Sequence, residues 1–159
     1  MKNIKIIAIV LLATVLIISC DNKELADTNK PVIVLNSPAE GDTLHAGNEH
    51  GVHFDMELTD DVALSSYKVD IHNADDGHAH SKAEAHSEHV FTFNRVWTDV
   101  EGKKNAHIHH HEIVIPANAK HGKYHLMIYC TDEAGNESYV ARTIYIGECN
   151  HDHDHDHDH

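Results

Sequence analysis

The sequence predicts an all-β chain, an antiparallel sandwich of about seven short strands, preceded by an export signal and followed by a histidine–aspartate tail. Three observations carry this reading. Apolar and polar residues alternate with the two-residue period of a half-buried strand from Val52 to Leu58 and from Tyr124 to Cys130. Turn-forming clusters such as Asn36-Ser37-Pro38, Glu40-Gly41-Asp42 and Asp132-Glu133-Ala134-Gly135-Asn136 separate the apolar runs. No stretch from residue 31 to 147 carries its apolar residues at helical spacing. A chain of 159 residues holds one ordinary domain with appendages, not two domains.

The first element is an address rather than part of the fold. Lys2 and Lys5 flank a basic start, and Ile6 to Ile18 is an apolar run of about thirteen residues that ends at Ser19. That is a secretory signal over residues 1–19, shorter than the roughly twenty residues a spanning helix needs. Ile17-Ile18-Ser19-Cys20 resembles the bacterial lipobox, and the resemblance implies acylation of Cys20 and a lipid anchor in a membrane. The expected location is the bacterial cell envelope, with the outer membrane favoured and the domain facing periplasm or exterior, a non-reducing setting. Residues 20–30 are polar without periodicity and read as the lipidated cysteine and a tether.

The sandwich is expected over residues 31–147. Pro31 to Leu35 is the first strand. Val52 to Leu58 follows, with Val52, Phe54, Met56 and Leu58 inward and His53, Asp55 and Glu57 outward. Tyr67, Val69 and Ile71 mark the buried face of the next strand. Val90 to Trp97 is another, carrying Phe91, Phe93 and Trp97. His107 to Ile115 follows and is stopped by Pro116; Tyr124, Leu126, Ile128 and Cys130 form a further inward row; Ser138 to Ile146 closes the fold. In the hairpin of the last two strands Cys130 falls opposite residues near 139. Cys149 then lies about ten positions further on, about 30 Å away and beyond disulfide reach. Cys130 therefore reads as a small core residue, while Cys149 stays open between a thiolate ligand, an intermolecular bridge and no role.

Gly122-Lys123-Tyr124 to Cys130, followed by Asp132-Glu133-Ala134-Gly135-Asn136, resembles the end of a bacterial immunoglobulin-like domain. There a Tyr-led strand is followed by an Asp-x-x-Gly-Asn hairpin. The resemblance spans residues 31 to 147 and implies an immunoglobulin-like topology. With the lipobox and the segment from Ile71-His72-Asn73 through Gly77-His78-Ala79-His80, the chain resembles uncharacterised His-rich lipoproteins of Bacteroidetes-type bacteria. That implies exposure in the periplasm or at the surface and supplies no activity.

Charge and composition narrow the chemistry. The formal net charge is -14, with 26 acidic and 12 basic side chains, and loss of Lys2 and Lys5 with the signal would take it to -16. Phosphate is repelled by such a chain, so nucleic acid is excluded as a partner, and cations are the natural one. Histidine is the outlier, 19 residues against 5 Tyr, 3 Phe and 1 Trp, more imidazole than packing calls for. Neutral imidazole ligates zinc, and also nickel, copper and cobalt. The expected cofactor is Zn2+, with Ni2+, Cu2+ or Co2+ as alternatives.

The histidines fall in three clusters. The first runs from His72 at a strand end through His78 and His80 to His86 and His89, in a long Ala-, Ser-, Asp- and Gly-rich loop of the kind that is usually functional or unstructured. The second is His107-Ile108-His109-His110-His111-Glu112. On a strand, His107, His109 and His111 share one side, about 7 Å apart. That parity runs on into Ile113 and Ile115, which places His109 and His111 at the rim of the core. The third is the strict alternation of His151, His153, His155, His157 and His159 with aspartate, over the tail 148–159. Low complexity of this kind is unstructured without metal and suits many weak, exchanging sites. A purification tag is a plain histidine run and would not follow an export signal in this way.

The reading that results is an exported lipoprotein that captures or buffers zinc, or delivers it to an envelope transporter. His72, His78, His80, His107, His109 and His111 form the tighter site, provided the loop folds back over the strand cluster. His45, His50, His53, His121 and His125 take no role in it. Asp60-Asp61, Asp132 and Asn136 would suit calcium, but such residues also build turns unaided, and the turn is the simpler account. No His-Glu-x-x-His helix, nucleophile elbow or phosphate-binding glycine loop is present, so an enzyme is not expected. Two other readings stay open: an immunoglobulin-like adhesion or scaffold module with incidental histidines, and a surface protein that responds to pH through them.

Overall fold

The computed structural model describes residues 26–74 and 89–148. The signal 1–19, Cys20, the first half of the tether, His78, His80, Cys149 and the tail histidines His151, His153, His155, His157 and His159 lie outside the described residues. Eight strands and no helix make up the described part: β1 (Val32–Ser37), β2 (Thr43–His45), β3 (Phe54–Thr59), β4 (Leu64–Asn73), β5 (Phe93–Trp97), β6 (Asn105–His110), β7 (Gly122–Asp132) and β8 (Glu137–Gly147). They form two sheets, β1-β3-β6 and β2-β8-β7-β4-β5. All pairings are antiparallel except the short β2, which runs parallel to β8 and was not anticipated. The fold is the expected immunoglobulin-like β-sandwich.

Its core follows from strand periodicity. Phe54, Met56 and Leu58 on β3, Tyr67, Val69 and Ile71 on β4, and Tyr124, Leu126, Ile128 and Cys130 on β7 are all buried. Each large side chain removed from water contributes about 1.5–3 kcal/mol before entropy is counted, and the two inner faces meet in one cluster. Tyr124 also anchors the turn into β7: its Oη donates to the Lys120 carbonyl at 2.8 Å and accepts the Phe91 N–H at 3.3 Å. That is the tyrosine corner of immunoglobulin-like sandwiches. Cys130 pairs with Ser138 across the β7–β8 hairpin, as the spacing required. Burial pushes its thiol up to about 12, with the charges of Asp60 and Asp132 adding to the effect.

Two strand assignments need correction. The fifth strand begins at Phe93 rather than Val90, because Phe91 is committed to Tyr124 and His89 forms an isolated bridge with Ala119. The sixth ends at His110, not Ile115, and its parity is the reverse of the expected one. Ile108 and His110 face inward, while His107 and His109 are exposed. Ile113 and Ile115 are nonetheless buried, because the chain leaves the β period at His111-Glu112, both exposed, and re-enters the core one step out of phase. His109 and His111 therefore sit on the open outer face of the three-stranded sheet rather than at the rim of the core.

Where β5 and β6 face each other, a stack of rings joins the two sheets. Tyr67 lies on Trp97 with centroids 4.9 Å apart, Trp97 on His110 at 5.3 Å, and His110 on Phe54 at 4.9 Å. Glu112 closes this side by pairing with Arg95 at 2.5 Å and accepting the Trp97 indole N–H at 3.4 Å.

Candidate metal centre

The outer face of β3 and β6 is a ladder of metal-ligating side chains. The register pairs Asp55 with His109 and Glu57 with His107, and one further step brings His53 opposite His111. Inward Phe54 and Met56 force His53, Asp55 and Glu57 outward, and inward Ile108 and His110 do the same for the histidines of β6.

Local backbone chemistry secures the His53–His111 end. Gly51 adopts φ +75, and a Cβ built there would lie 1.9 Å from the His111 carbonyl oxygen. Only glycine permits this approach. The Val52 N–H then donates to the Ile113 carbonyl at 2.8 Å, which lays residues 51–53 against 111–113.

Three imidazoles meet as a result. One ring nitrogen from each of His53, His109 and His111 lies within 4.8 Å of the others, and all three residues are exposed. His53 Nδ1 is 3.4 Å from His111 Nε2. The rings of His53 and His109 are 4.9 Å apart, and those of His109 and His111 5.6 Å. Asp55 sits below them. It accepts from Asn36 Nδ2 and from His107 Nε2, each at 2.7 Å, and its Oδ2 is 3.7 Å from His109 Nδ1. The hydrogen bonds from Asn36 and His107 hold its carboxyl below the usual aspartate range. Beside this group opens a cleft of about 360 Å³ whose lining includes His45, His50, His53 and His111.

The histidines expected to form the site divide. His109 and His111 belong to it, and His107 reaches it through Asp55. His72 does not: it stands exposed on β4 of the other sheet, paired to Asp70 at 2.7 Å and near the His125 ring, so the core separates it from the strand cluster. His78 and His80, expected to complete the site, lie outside the described residues. His53 was missed. Its outward position was legible in the alternation of β3, but its partner depends on which strand pairs with β3 and in what register. His110, inside the same histidine run, is no part of the group. It faces the core, accepts the Glu112 N–H at Nδ1, and leaves Nε2 buried without a hydrogen-bond partner among the described residues.

A second group lies at the far end of β3. One carboxylate oxygen from each of Asp27, Asp60 and Asp132 lies within 4.8 Å of the others. Asp60 and Asp132 do build turns, as expected: Asp60 Oδ1 accepts the amides of Val62 and Ala63, and Asp132 accepts the backbone and side-chain N–H groups of Asn136. Burial disfavours the charge on Asp132, but the hydrogen bonds from Asn136, Gly135 and Ala134 outweigh it and hold the carboxyl below its usual range. Asp27, on the stretch read as tether, is docked here, with its carbonyl accepting from Asn136 Nδ2 at 3.2 Å.

No curated protein matches this chain in sequence. A family model matches residues 18–147, across all eight strands, and the chain belongs to that family, described as Domain of unknown function (DUF4625).

Proposed function

We propose that this protein binds a divalent transition metal, zinc in the first place, through His53, His109 and His111. The observation that carries the reading is the convergence on one exposed patch of three imidazole nitrogens, from His53 just before β3, His109 on β6 and His111 just after it. Tetrahedral zinc with Zn–N bonds of 2.0–2.1 Å sets its ligand nitrogens about 3.3 Å apart; His53 and His111 are already at 3.4 Å. A carboxylate beneath a ligating histidine orients its ring and raises its basicity, which is the place of Asp55 under His109. His45 and His50 in the adjoining cleft and the alternating tail would feed the site with weakly held ions.

The reading is of a binding protein rather than an enzyme. The three imidazoles are exposed, and Glu112, the carboxylate next to His111 in the chain, is engaged by Arg95 and Trp97. On this view the chain is an exported lipoprotein, anchored at Cys20 in the bacterial envelope with the outer membrane favoured, that captures or buffers zinc or hands it to an envelope transporter. The histidine-rich lipoproteins it resembles are consistent with such a place.

The test is calorimetric titration of zinc into the chain truncated after Glu148, at pH 7.5 and pH 5.5. One site is expected at pH 7.5, weakened a hundredfold or more at pH 5.5, because an imidazole with the ordinary pKa near 6.5 must release its proton to bind. His53→Ala and His109→Ala should each weaken it by about tenfold or more. Equal affinity at the two pH values would rule out imidazole ligation.

A further inference from the structure

The carboxylate corner calls for its own account. Asp27 lies just ahead of β1, Asp60 just after β3 and Asp132 at the end of β7, so three separate parts of the chain deliver an acid to one pole of the sandwich. Asp60 is 8% exposed and Asp132 2%. Turn building uses only some of their oxygens. Asp60 Oδ1 takes two amide hydrogens, but Asp60 Oδ2 is buried with no hydrogen-bond partner, and so is Asp27 Oδ2. A turn needs neither. Among the described residues no lysine or arginine forms an ion pair with any of the three; Lys104 donates to the Asp61 carbonyl instead. Buried carboxylates this close repel one another unless a cation lies among them.

We infer that Asp27, Asp60 and Asp132 form a calcium site that clamps the incoming chain to the pole of the sandwich. The donor chemistry selects the ion. All three ligands are hard anionic oxygens, which suit calcium or magnesium and not the metals that prefer imidazole. Calcium–oxygen bonds of 2.3–2.6 Å let ligand oxygens stand up to about 5 Å apart, and the three oxygens here all lie within 4.8 Å of one another. Magnesium demands a tighter octahedron and keeps most of its waters, which this corner of fixed carboxylates matches less well. The inference is independent of the histidine centre: along β3 the two sites stand about 23 Å apart, at seven residues of ~3.3 Å each.

The consequence is mechanical. Asp27 is the one ligand that precedes β1, so calcium would tie the stretch leading into β1 to the β3–β4 turn and the β7–β8 hairpin. That fixes the direction in which the domain leaves the preceding segment.

Thermal unfolding of the full mature chain, stripped with chelator and kept free of zinc, tests this. Calcium at 5 mM should raise Tm by at least about 5 °C, and magnesium at the same concentration by less than half as much. Asp60→Asn should abolish the shift, though loss of its turn could also impair folding. Asp27→Ala lies outside the strands and keeps the fold testable: its calcium-free Tm should stay near that of the parent, while the calcium shift disappears and zinc affinity is unchanged. No calcium shift in the parent chain, or the same shift in Asp27→Ala, overturns the inference.

Discussion

Gly51 shows how much of the proposed zinc centre hangs on one residue without a side chain. It donates nothing to a metal, yet its missing Cβ lets the chain pass against the His111 carbonyl and bring His53 alongside. Any L side chain at that φ is strained, and here it would also overlap backbone that cannot swing away. Gly51→Ala should therefore cost at least about 2 kcal/mol of stability in denaturant unfolding. The folded fraction should bind zinc about tenfold or more weakly, because His53 and His111 are pushed apart. Unchanged affinity in a destabilised Gly51→Ala would mean that His53 is not a ligand.

For the strand as a unit, the informative feature is the phase of β6. Five consecutive residues, His107 to His111, include four histidines, and alternation sorts them into two environments. His109 and His111 look outward to the proposed zinc centre. His110 looks inward, stacked between Phe54 and Trp97, where burial lowers its pKa and its Nε2 finds no partner. His110→Phe should keep the ring stack, leave zinc affinity within about twofold, and raise stability by about 1 kcal/mol through removal of an unsatisfied buried donor. Ile108→Ala, on the same inner face, should lose about 2–5 kcal/mol in chemical unfolding with little change in zinc binding. If His110→Phe abolished zinc binding, the assigned phase of the strand would be wrong.

Considered whole, the molecule presents histidine in two settings that the proposed function uses, one held by the sandwich and one carried on a low-complexity tail. A net charge of -14 draws cations toward both. The alternating tail pairs each imidazole with a neighbouring aspartate, which concentrates metal but also favours the protonated ring, so its sites should be weak and exchanging. Metal content after equilibrium dialysis against micromolar zinc is expected to fall in the chain truncated after Glu148 to about one ion per molecule. The tightest step of the titration should survive truncation. Loss of that step with the tail would locate the strong site there and leave the β3–β6 ladder without a role.

The sandwich class, the inward rows of β3, β4 and β7, the core position of Cys130 and the shared face of His107, His109 and His111 were all determined by sequence alone. Each depends on periodicity or on a hairpin spacing, and the chain carries both in neighbouring residues. Strand pairing decided the rest. His53 became a partner of His111 only because β3 lies beside β6 in one register, and His72 was lost to the site because β4 belongs to the other sheet. The phase break at His111-Glu112 and the meeting of Asp27, Asp60 and Asp132 likewise depend on contacts between segments tens of residues apart. Local pattern states which way a side chain faces; what it faces is set by which strands the core draws together.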